Sequence, residues 1–448
     1  MATTDTTSLG KVCIVGAGPS GLVAARQLRA AGIPFDIFEK HSGVSGIWDP
    51  HNEGSPIYRT AHFISSRYTS GFYGAPMPES FPDYPSWRNI LDYLRNFAVE
   101  DGLHELITFN STVQSAVLEA DGTWSVTVDG ESRGYRALIA APGVTWHANV
   151  PKLAGQETFT GEVRHSSSYF NPSEFTGKRV VVVGAGNSGV DIACDAAFAA
   201  DAAFLSVRRG YRFIPKHLFG MPLDVFINEG GELPDGISVP EDPTELTDAL
   251  MGDVTKLGLP KPDHRVLESH PIVNDQIIHY LRHGDIVAKP DIDRLEGDEV
   301  VFTDGSREQA DLVLLATGYE YLMPFLDESL FEWRQGHPQL YLNTFNRTVD
   351  SLYVVGFIEF ASAAYKRFED MAQLIAMDLS LTGEQKAAFR EMKRTHQPDL
   401  RGGHHYIDTP RHANYVEVHS YQHILAEVRE KFGVPSLDEV YSAKAATP

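Results

Sequence analysis

The chain has 448 residues, enough for two or three domains of ordinary size, and its 42% hydrophobic and 22% charged residues are typical of a soluble globular protein. Sixty acidic residues against 38 basic ones give a net charge of −22, which disfavours binding to nucleic acid or to an anionic membrane. The sequence begins without a basic and apolar leader, and none of its apolar runs is long enough to span a bilayer, so we expect a cytoplasmic location. Two cysteines, Cys13 and Cys194, are too few for a disulfide framework and too far apart for a C-x-x-C redox pair.

A strand, a glycine turn and a helix form the first clear pattern in the sequence. Residues 11–15 predict a buried strand, GAGPSG follows it, and an amphipathic helix ends at Gly32. A second predicted strand, residues 35–38, leads to an acid. In a βαβ unit of this kind the glycines allow a tight turn, close approach of a pyrophosphate and close helix packing, while the acid binds a ribose. The predicted dinucleotide site consists of Gly16, Gly18, Pro19, Ser20, Gly21 and Glu39.

The same pattern recurs in the middle of the chain. Residues 179–183 predict a buried strand, which is followed by GAGNSG, an Ala-rich helix and a further strand at residues 203–207. Two arginines stand where the first copy has its acid, and guanidinium groups suit the 2′-phosphate that distinguishes NADPH from NADH. The alternative is that both arginines are solvated surface charges. The second predicted site consists of Gly184, Gly186, Asn187, Ser188, Gly189, Asp191, Arg208 and Arg209.

The remaining segments predict how these two units share the chain. Residues 105–140 alternate apolar and polar side chains between Asp-Gly turns, which is typical of a small antiparallel sheet. Residues 221–268 are rich in Pro, Gly and acids and predict a loop region, a lid or a cavity wall. Later segments predict short strands from Ile286 on, strands at 311–319 and 352–356, and a helix over about 362–379.

These patterns predict an α/β fold with two Rossmann-like dinucleotide-binding domains, the second inserted into the first. The first domain is expected to comprise residues 1–160 and 306–448, and the inserted domain residues 161–305. The simplest combination is that the unit with the acid holds FAD and the unit with the arginines exchanges NADPH. The protein would then be a flavoprotein. Disulfide reductases of this plan need a cysteine pair, which the sequence lacks. An oxygenase and an electron-transfer reductase remain.

The linker between the two predicted domains carries a motif of its own. The spacing F-x-G-x-x-x-H-x-x-x-Y is matched by Phe159, Gly161, His165 and Tyr169, and residues 311–324 match D-x-x-x-L-A-T-G-Y-x-x-x-x-P. With the glycine turns, these motifs make the sequence resemble the flavin-containing monooxygenases, which are class B flavoprotein monooxygenases. The resemblance implies FAD- and NADPH-dependent insertion of one atom of O2 into an amine nitrogen or a sulfide sulfur, through a flavin C4a-hydroperoxide. Baeyer–Villiger members carry Trp at the position of Tyr169, so the sequence resembles them less. Ketone oxygenation of that type is kept as the alternative.

The resemblance also implies further site residues. Those expected beside FAD are Ile47, Trp48, Thr317, Gly318 and Gly356. His165 either ties the linker by hydrogen bonds or takes part in catalysis directly.

One position departs from the family pattern. N-oxygenating members have an asparagine beside flavin C4a and NADP⁺, and an ungapped match of residues 58–72 places Ile64 there. Ser65 and Ser66 are the nearest polar substitutes, so either a serine takes that part after a shift of one residue or oxygen activation is supported differently.

The expected partners are O2 and a small nucleophilic substrate, without nucleic acid or membrane, and a homodimer is left open. The C-terminal histidines have no standard metal-site spacing, so we expect no metal: His404, His405, His412, His419 and His423.

Overall fold

The computed structural model describes residues 8–229, 240 and 242–445. The chain forms two compact units, each with its own parallel sheet. The first unit consists of Met1–Glu53, Arg67–Val144 and Tyr321–Pro448, and the second of Gly54–Ser66 and Thr145–Glu320. This architecture confirms the predicted α/β class.

The first unit is built on a parallel sheet. In spatial order its strands are Leu352–Val354, Ala137–Ala140, Val12–Val15, Phe35–Phe38 and Ile107–Thr108. Every residue of Val12–Val15 is buried, as is typical of a parallel strand that is covered on both faces. The strand order reverses at this strand, because the chain first adds Phe35–Phe38 and Ile107–Thr108 on one side of it and later Ala137–Ala140 and Leu352–Val354 on the other. Ligands of open α/β sheets bind outside the carboxyl end of a strand at such a reversal.

The other elements of the first unit surround this sheet. An antiparallel sheet of Val113–Leu118, Trp124–Val128 and Glu131–Tyr135 confirms the predicted meander, and its apolar side chains pack against the parallel sheet. Two short strand pairs are Trp333–Arg334 with His337–Pro338, and Glu359–Phe360 with Tyr415–Val416. The helices are Pro19–Ala30, Trp87–Glu100, Tyr365–Ser380, Gly383–Thr395, Val418–Phe432 and Leu437–Ala445.

The second unit repeats the plan of the first. Its parallel strands, in spatial order, are Ile286–Lys289, Ala202–Ser206, Arg179–Val183, Leu312–Leu315 and Glu162–His165. The strand order again reverses at the strand before the glycine turn. An antiparallel sheet consists of Ile292–Glu296, Glu299–Phe302 and Arg307–Gln309, and short pairs are His147–Ala148 with Tyr319–Glu320, Phe213–Ile214 with Ile272–Val273, and His217–Leu218 with Met221–Pro222. The helices of the described part are Asn187–Ala199, Leu223–Glu229, Pro243–Met251 and Gln276–His283.

The boundaries of the two units differ from the limits drawn on the sequence at residues 160 and 305. The strand Leu312–Leu315 pairs with Arg179–Val183 in the second sheet, and Gly54–Ser66 also belongs to the second unit. Where each cofactor-binding domain ends stays a prediction.

The segment 221–268, predicted as a loop region, contains regular structure. Two helices, Leu223–Glu229 and Pro243–Met251, lie within it, so the prediction was wrong for these residues. The carboxylate of Asp242 accepts a hydrogen bond from the N–H of Thr244, and proline occupies the first helical position. Both features are typical of a helix start, although the segment as a whole is rich in acids and proline. Residues 230–239 and 241 lie outside the described residues. In the ranges that are described, none of the helices combines the length and hydrophobicity of a membrane span.

Candidate functional site

The first glycine turn, Gly16–Gly21, leaves no room for side chains at its two ends. Gly16 has a φ of +100°, and a Cβ there would lie 2.5 Å from the carbonyl oxygen of Ala141. A Cβ at Gly21 would lie 1.9 Å from the carbonyl oxygen of Gly16. At Gly18 the nearest atom to such a Cβ is the Cα of Gly46, at an ordinary 3.6 Å. Protein packing therefore explains the outer glycines but not the middle one.

The second glycine turn, Gly184–Gly189, has the same geometry. Gly184 has a φ of +102° and would place a Cβ 2.6 Å from the carbonyl oxygen of Ala316, and a Cβ at Gly189 would lie 2.1 Å from the oxygen of Gly184. At the middle glycine, Gly186, a Cβ would meet nothing within 4 Å. The helix that starts at each turn has no side-chain cap, so no N-cap side chain binds the N–H groups of its first turn. Such a helix start favours a bound anion.

An acid lies at the first turn. The buried Glu39 carboxylate accepts hydrogen bonds from the backbone N–H groups of Ala17, at 2.7 Å, and His41, at 2.9 Å. These two donors fix its orientation next to the glycines, and a carboxylate has further lone pairs for a ribose hydroxyl. The structure therefore brings Glu39 to the turn that the sequence assigned to it.

Arginines lie at the corresponding place in the second unit. Arg208 follows the strand Ala202–Ser206 and is exposed, and within the described residues its side chain has no hydrogen bond or ion pair. The guanidinium of Arg209 lies over the ring of Tyr211, 4.9 Å from its centroid. Arg209 is thus held against an aromatic ring, and the guanidinium of Arg208 is accessible to a ligand.

A short 3₁₀ turn, Gly46–Trp48, lies against the first glycine turn and carries Ile47 and Trp48. Ser45, which precedes it, has a φ of +105° and is completely buried. In the described part of the chain its Oγ has no hydrogen-bond partner. A buried hydroxyl that the protein leaves without a partner is expected where a ligand completes the site.

Gly356 also belongs to the surroundings of the first turn. It has a φ of +96°, and a Cβ there would lie 2.5 Å from the Oγ of Ser20. Any larger residue at this position would push Ser20 out of place.

Two residues predicted at the second site use their side chains within the protein. Asn187 donates to the carbonyl oxygen of Pro271 and accepts from the N–H of Val273, both at 3.0 Å. The buried Asp191 accepts from the hydroxyl of Tyr58 at 2.9 Å and from the amide of Asn274 at 2.6 Å. Burial raises the pKa of the Asp191 carboxyl. Their contact with a cofactor stays a prediction.

The segment 54–66 is fastened to the second unit by hydrogen bonds that the sequence did not indicate. The hydroxyl of Thr60 donates to the Asp195 carboxylate at 2.5 Å, as does the hydroxyl of Tyr169 at 2.9 Å. The N–H of Arg59 donates to the carbonyl oxygen of Phe170 at 2.8 Å. Asp195 lies four residues after Asp191, on the same face of the helix Asn187–Ala199. In the sequence, the signal that could have indicated these contacts is the pair of acids, Asp191 and Asp195, four residues apart in an Ala-rich helix.

Ile64, the residue matched to the family's asparagine beside flavin C4a, lies with Ser65 and Ser66 at the end of the segment 54–66. Ile64 is 37% exposed, whereas Ser66 is buried. The N–H of Ser66 donates to the Asp224 carboxylate at 2.7 Å. Asp224, in the region predicted to be a loop, thus fixes the turn that carries Ser65 and Ser66.

His165 ties the linker to the strand end at residues 317–318. Its Nδ1 accepts from the N–H of Ser167 at 3.1 Å, so the hydrogen is on Nε2, which donates to the carbonyl oxygen of Gly318 at 3.0 Å. Burial lowers the pKa of His165 and keeps the ring neutral. Beside it the hydroxyl of Thr317 donates to the carbonyl oxygen of Asn149 at 2.5 Å. These contacts support the hydrogen-bonding role for His165.

Comparison with known proteins identifies the family. A family model described as flavin-binding monooxygenase-like matches residues 9–380. The chain belongs to the flavin-containing monooxygenase family. It is 29% identical over 437 residues to flavin-containing monooxygenase 5 of Oryctolagus cuniculus, covering 91% of this chain and 81% of that protein. It is 32% identical over 382 residues to flavin-containing monooxygenase 3 of Homo sapiens, covering 79% of this chain and 70% of that protein.

A solved structure supports the fold of the monooxygenase. The S-allyl-L-cysteine S-oxygenase from Allium sativum is 20% identical, with a TM-score of 0.66, and the match covers 97% of this chain and 90% of that one. At this identity the likeness concerns the fold alone.

The protein is an NADPH-dependent flavoprotein monooxygenase with FAD and NADPH as cofactors, as predicted. Its residues fit two dinucleotides, because protein packing does not account for the middle glycine of either turn and each turn leads into a helix start without a side-chain cap. Both cysteines are buried and neither is in a disulfide. Within the described ranges, three or more His, Cys, Asp or Glu side chains nowhere converge in the way that a metal ion requires.

Proposed function

We propose that the monooxygenase holds FAD at the first glycine turn, takes NADPH at the second, and oxygenates a soft nucleophile, the nitrogen of an amine or the sulfur of a sulfide. When bound, FAD accepts a hydride from NADPH and supplies the electrons that activate O2. The observation that carries the proposal is the pair of equivalent glycine turns with opposite charges at the ribose position, Glu39 in one and Arg208 in the other.

The first turn suits FAD through three features of the chain. Its helix start offers N–H groups to the pyrophosphate, and Gly18 lets the phosphates approach the backbone. Glu39, held by Ala17 and His41, accepts from the ribose hydroxyls. The proposed FAD residues are those predicted from the sequence, Gly16, Gly18, Pro19, Ser20, Gly21, Glu39, Ile47, Trp48, Thr317, Gly318 and Gly356.

The second turn suits NADPH for the same reasons, with a cation in place of the acid. Arg208 is exposed, and among the described residues it has no partner, so its guanidinium is available to a 2′-phosphate. The proposed NADPH residues are Gly184, Gly186, Asn187, Ser188, Gly189, Asp191, Arg208 and Arg209. Of these, Asp191 and Asn187 are proposed to act by holding the helix start in place, since their side chains already bind protein groups.

A soft nucleophile is favoured over a ketone by the fingerprint at Tyr169. Its hydroxyl donates to the Asp195 carboxylate at 2.9 Å, whereas Baeyer–Villiger members carry tryptophan at this position. We propose that Ser65 and Ser66 take the place of the family's asparagine and that His165 positions the linker. Transfer to an amine or a sulfide needs few acid and base groups from the protein, whose main task is to exclude water.

A substrate comparison tests the proposed reaction. We expect FAD-loaded enzyme with NADPH and ¹⁸O2 to convert methyl phenyl sulfide and N,N-dimethylaniline into a sulfoxide and an N-oxide that carry one labelled oxygen, as mass spectrometry would show. Parallel reactions without NADPH measure uncatalysed oxidation. Conversion of cyclohexanone into a lactone as the main reaction would establish the Baeyer–Villiger alternative. If the enzyme oxidised NADPH and reduced a quinone, but inserted labelled oxygen into neither the sulfide, the amine nor cyclohexanone, it would be an electron-transfer reductase.

Replacing Gly186 with alanine tests the second turn. The added Cβ meets no protein atom within 4 Å, so the fold and the FAD content should not change. Because the methyl group would crowd the pyrophosphate, the KM values for NADPH and NADH should both rise, by about tenfold for each 1.4 kcal/mol lost. Steady-state kinetics with both nucleotides measure the effect, and unchanged KM values would place the pyrophosphate elsewhere.

The sequence leaves a homodimer open, and a cytoplasmic location is a further proposal that rests on the sequence. Light scattering of the purified protein tests the first, and fractionation of the source cells tests the second.

A further inference from the structure

A cavity of about 620 Å³ lies in the first unit, at the edge of its parallel sheet where the strands begin. Arg136 immediately precedes the strand Ala137–Ala140, and Ser351 immediately precedes Leu352–Val354. The glycine turn follows the other end of the neighbouring strand, about 13 Å away for four residues of strand. The cavity is therefore separate from the first glycine turn, and its volume is within the range of about 300–1,000 Å³ that is usual for ligand sites.

The walls of this cavity are mostly apolar. Four aliphatic side chains contribute to them, those of Leu118, Val349, Leu379 and Leu381. A ligand that fills the cavity would thus gain affinity by burying an apolar body.

Arg136 differs from the other charged side chains of these walls, Asp350 and Lys386, in having no ion-pair partner among the described residues. Its Nε is buried without a hydrogen-bond partner in the described part of the chain, and the rest of its guanidinium forms no ion pair there. A buried N–H donor that is left unsatisfied is costly, although the residue as a whole is only half-buried, and a protein of net charge −22 has many carboxylates that could have paired with it. The structure leaves this cation for something outside the protein.

The other charged side chains at the cavity each have a partner of opposite charge within the protein. Lys386 donates to the carbonyl oxygen of Asp378 at 2.8 Å and also pairs with its carboxylate. The fully buried Asp378 accepts from Tyr353 and from Lys393, both at 3.0 Å. Asp350, the one acid among the residues that line the cavity, pairs with Arg390 and Lys393. A ligand with one negative charge would therefore complete the site.

We propose that this cavity binds a small molecule with one carboxylate and an apolar tail, and that Arg136 recognises the carboxylate. A guanidinium presents parallel N–H donors that match the two oxygens of a carboxylate, while the aliphatic wall takes the tail. This inference is independent of the proposed function, since it involves neither glycine turn.

Calorimetric titration of the FAD-loaded enzyme with octanoate tests the proposal. We expect saturable binding with one site per chain. Octanol, which has the same tail without the charge, should bind about ten- to hundredfold more weakly, and Arg136→Gln should lose octanoate affinity by a similar factor. Arg133→Gln is the matched control, because Arg133 lies three residues earlier and pairs with Glu131, so its loss should leave binding unchanged.

A second variant keeps the test decisive if Arg136→Gln does not fold. Thr382 is exposed, lines the cavity and makes no capping hydrogen bond, so Thr382→Trp should fold normally and fill the space. We expect it to abolish octanoate binding. Absence of saturable binding to the native protein, equal affinity for octanol, or full affinity in Arg136→Gln or Thr382→Trp would each overturn the proposal.

Discussion

Gly21→Ala is expected to yield protein that retains no FAD. The added Cβ would lie 1.9 Å from the carbonyl oxygen of Gly16, which belongs to the backbone of the same tight turn. Relief requires the helix Pro19–Ala30 to move away from the strand Val12–Val15, whose residues are all buried. Overpacking of a core costs about 1–3 kcal/mol where side chains can yield, and here the clash is with backbone. The absorbance of bound flavin and the thermal unfolding temperature measure the effect.

Gly10→Ala is the control for this experiment. Gly10 is exposed, its φ is not in the left-handed region, and a Cβ there would meet nothing within 4 Å. We expect the flavin content and unfolding temperature of this variant to equal those of the native protein. If Gly21→Ala also kept the native flavin content and unfolding temperature, the turn in solution would differ from the one described.

Arg208→Ala is expected to remove most of the preference for NADPH. A charge-assisted hydrogen bond to a phosphate contributes on the order of 1.5–3 kcal/mol, which corresponds to roughly a ten- to hundredfold rise in the KM for NADPH. NADH lacks the 2′-phosphate, so its KM should change little. The result to measure is the ratio of kcat/KM values for the two nucleotides.

Arg294→Ala separates this local effect from a general loss of positive charge. Arg294 is a half-exposed arginine of the same unit that pairs with Asp293 and Glu296, and it lies more than 100 residues after the glycine turn in sequence. Its replacement should leave both KM values unchanged. If Arg208→Ala impaired NADPH and NADH equally, the interpretation of Arg208 as a phosphate ligand would be wrong.

The glycine turns could be predicted because their cause is local. A tight turn with positive φ, an apolar strand before it and a helix after it all lie within about 25 residues, and each has its own signature. The position of Glu39 follows from the same unit. The helix at Pro243–Met251 was also signalled locally, by Asp242 and the following proline, but the composition of the surrounding segment concealed it.

The contacts of the segment 54–66 could not be predicted in this way. Tyr58 and Asp191 are 133 residues apart, and Ser66 and Asp224 are 158 residues apart, so no periodicity or spacing joins them. The roles of Asp195 and Asp224 depend on which loop is folded back onto which helix. The same holds for Arg136, whose lack of a partner is a property of the folded chain and not of its neighbours in sequence.

The attachment of Gly54–Ser66 to the second unit has a consequence for protein engineering. A chimera that exchanges only Thr145–Glu320 with a relative would leave behind the hydroxyl groups of Tyr58 and Thr60. Asp191 and Asp195 would then be buried beside the host's segment with foreign partners, and burial already raises the pKa of both carboxyls. A graft that carries the early segment together with the later one would preserve these bonds. The unit to be transferred thus consists of two separate stretches of sequence, Gly54–Ser66 and Thr145–Glu320, and an exchange that begins at the linker omits the first of them.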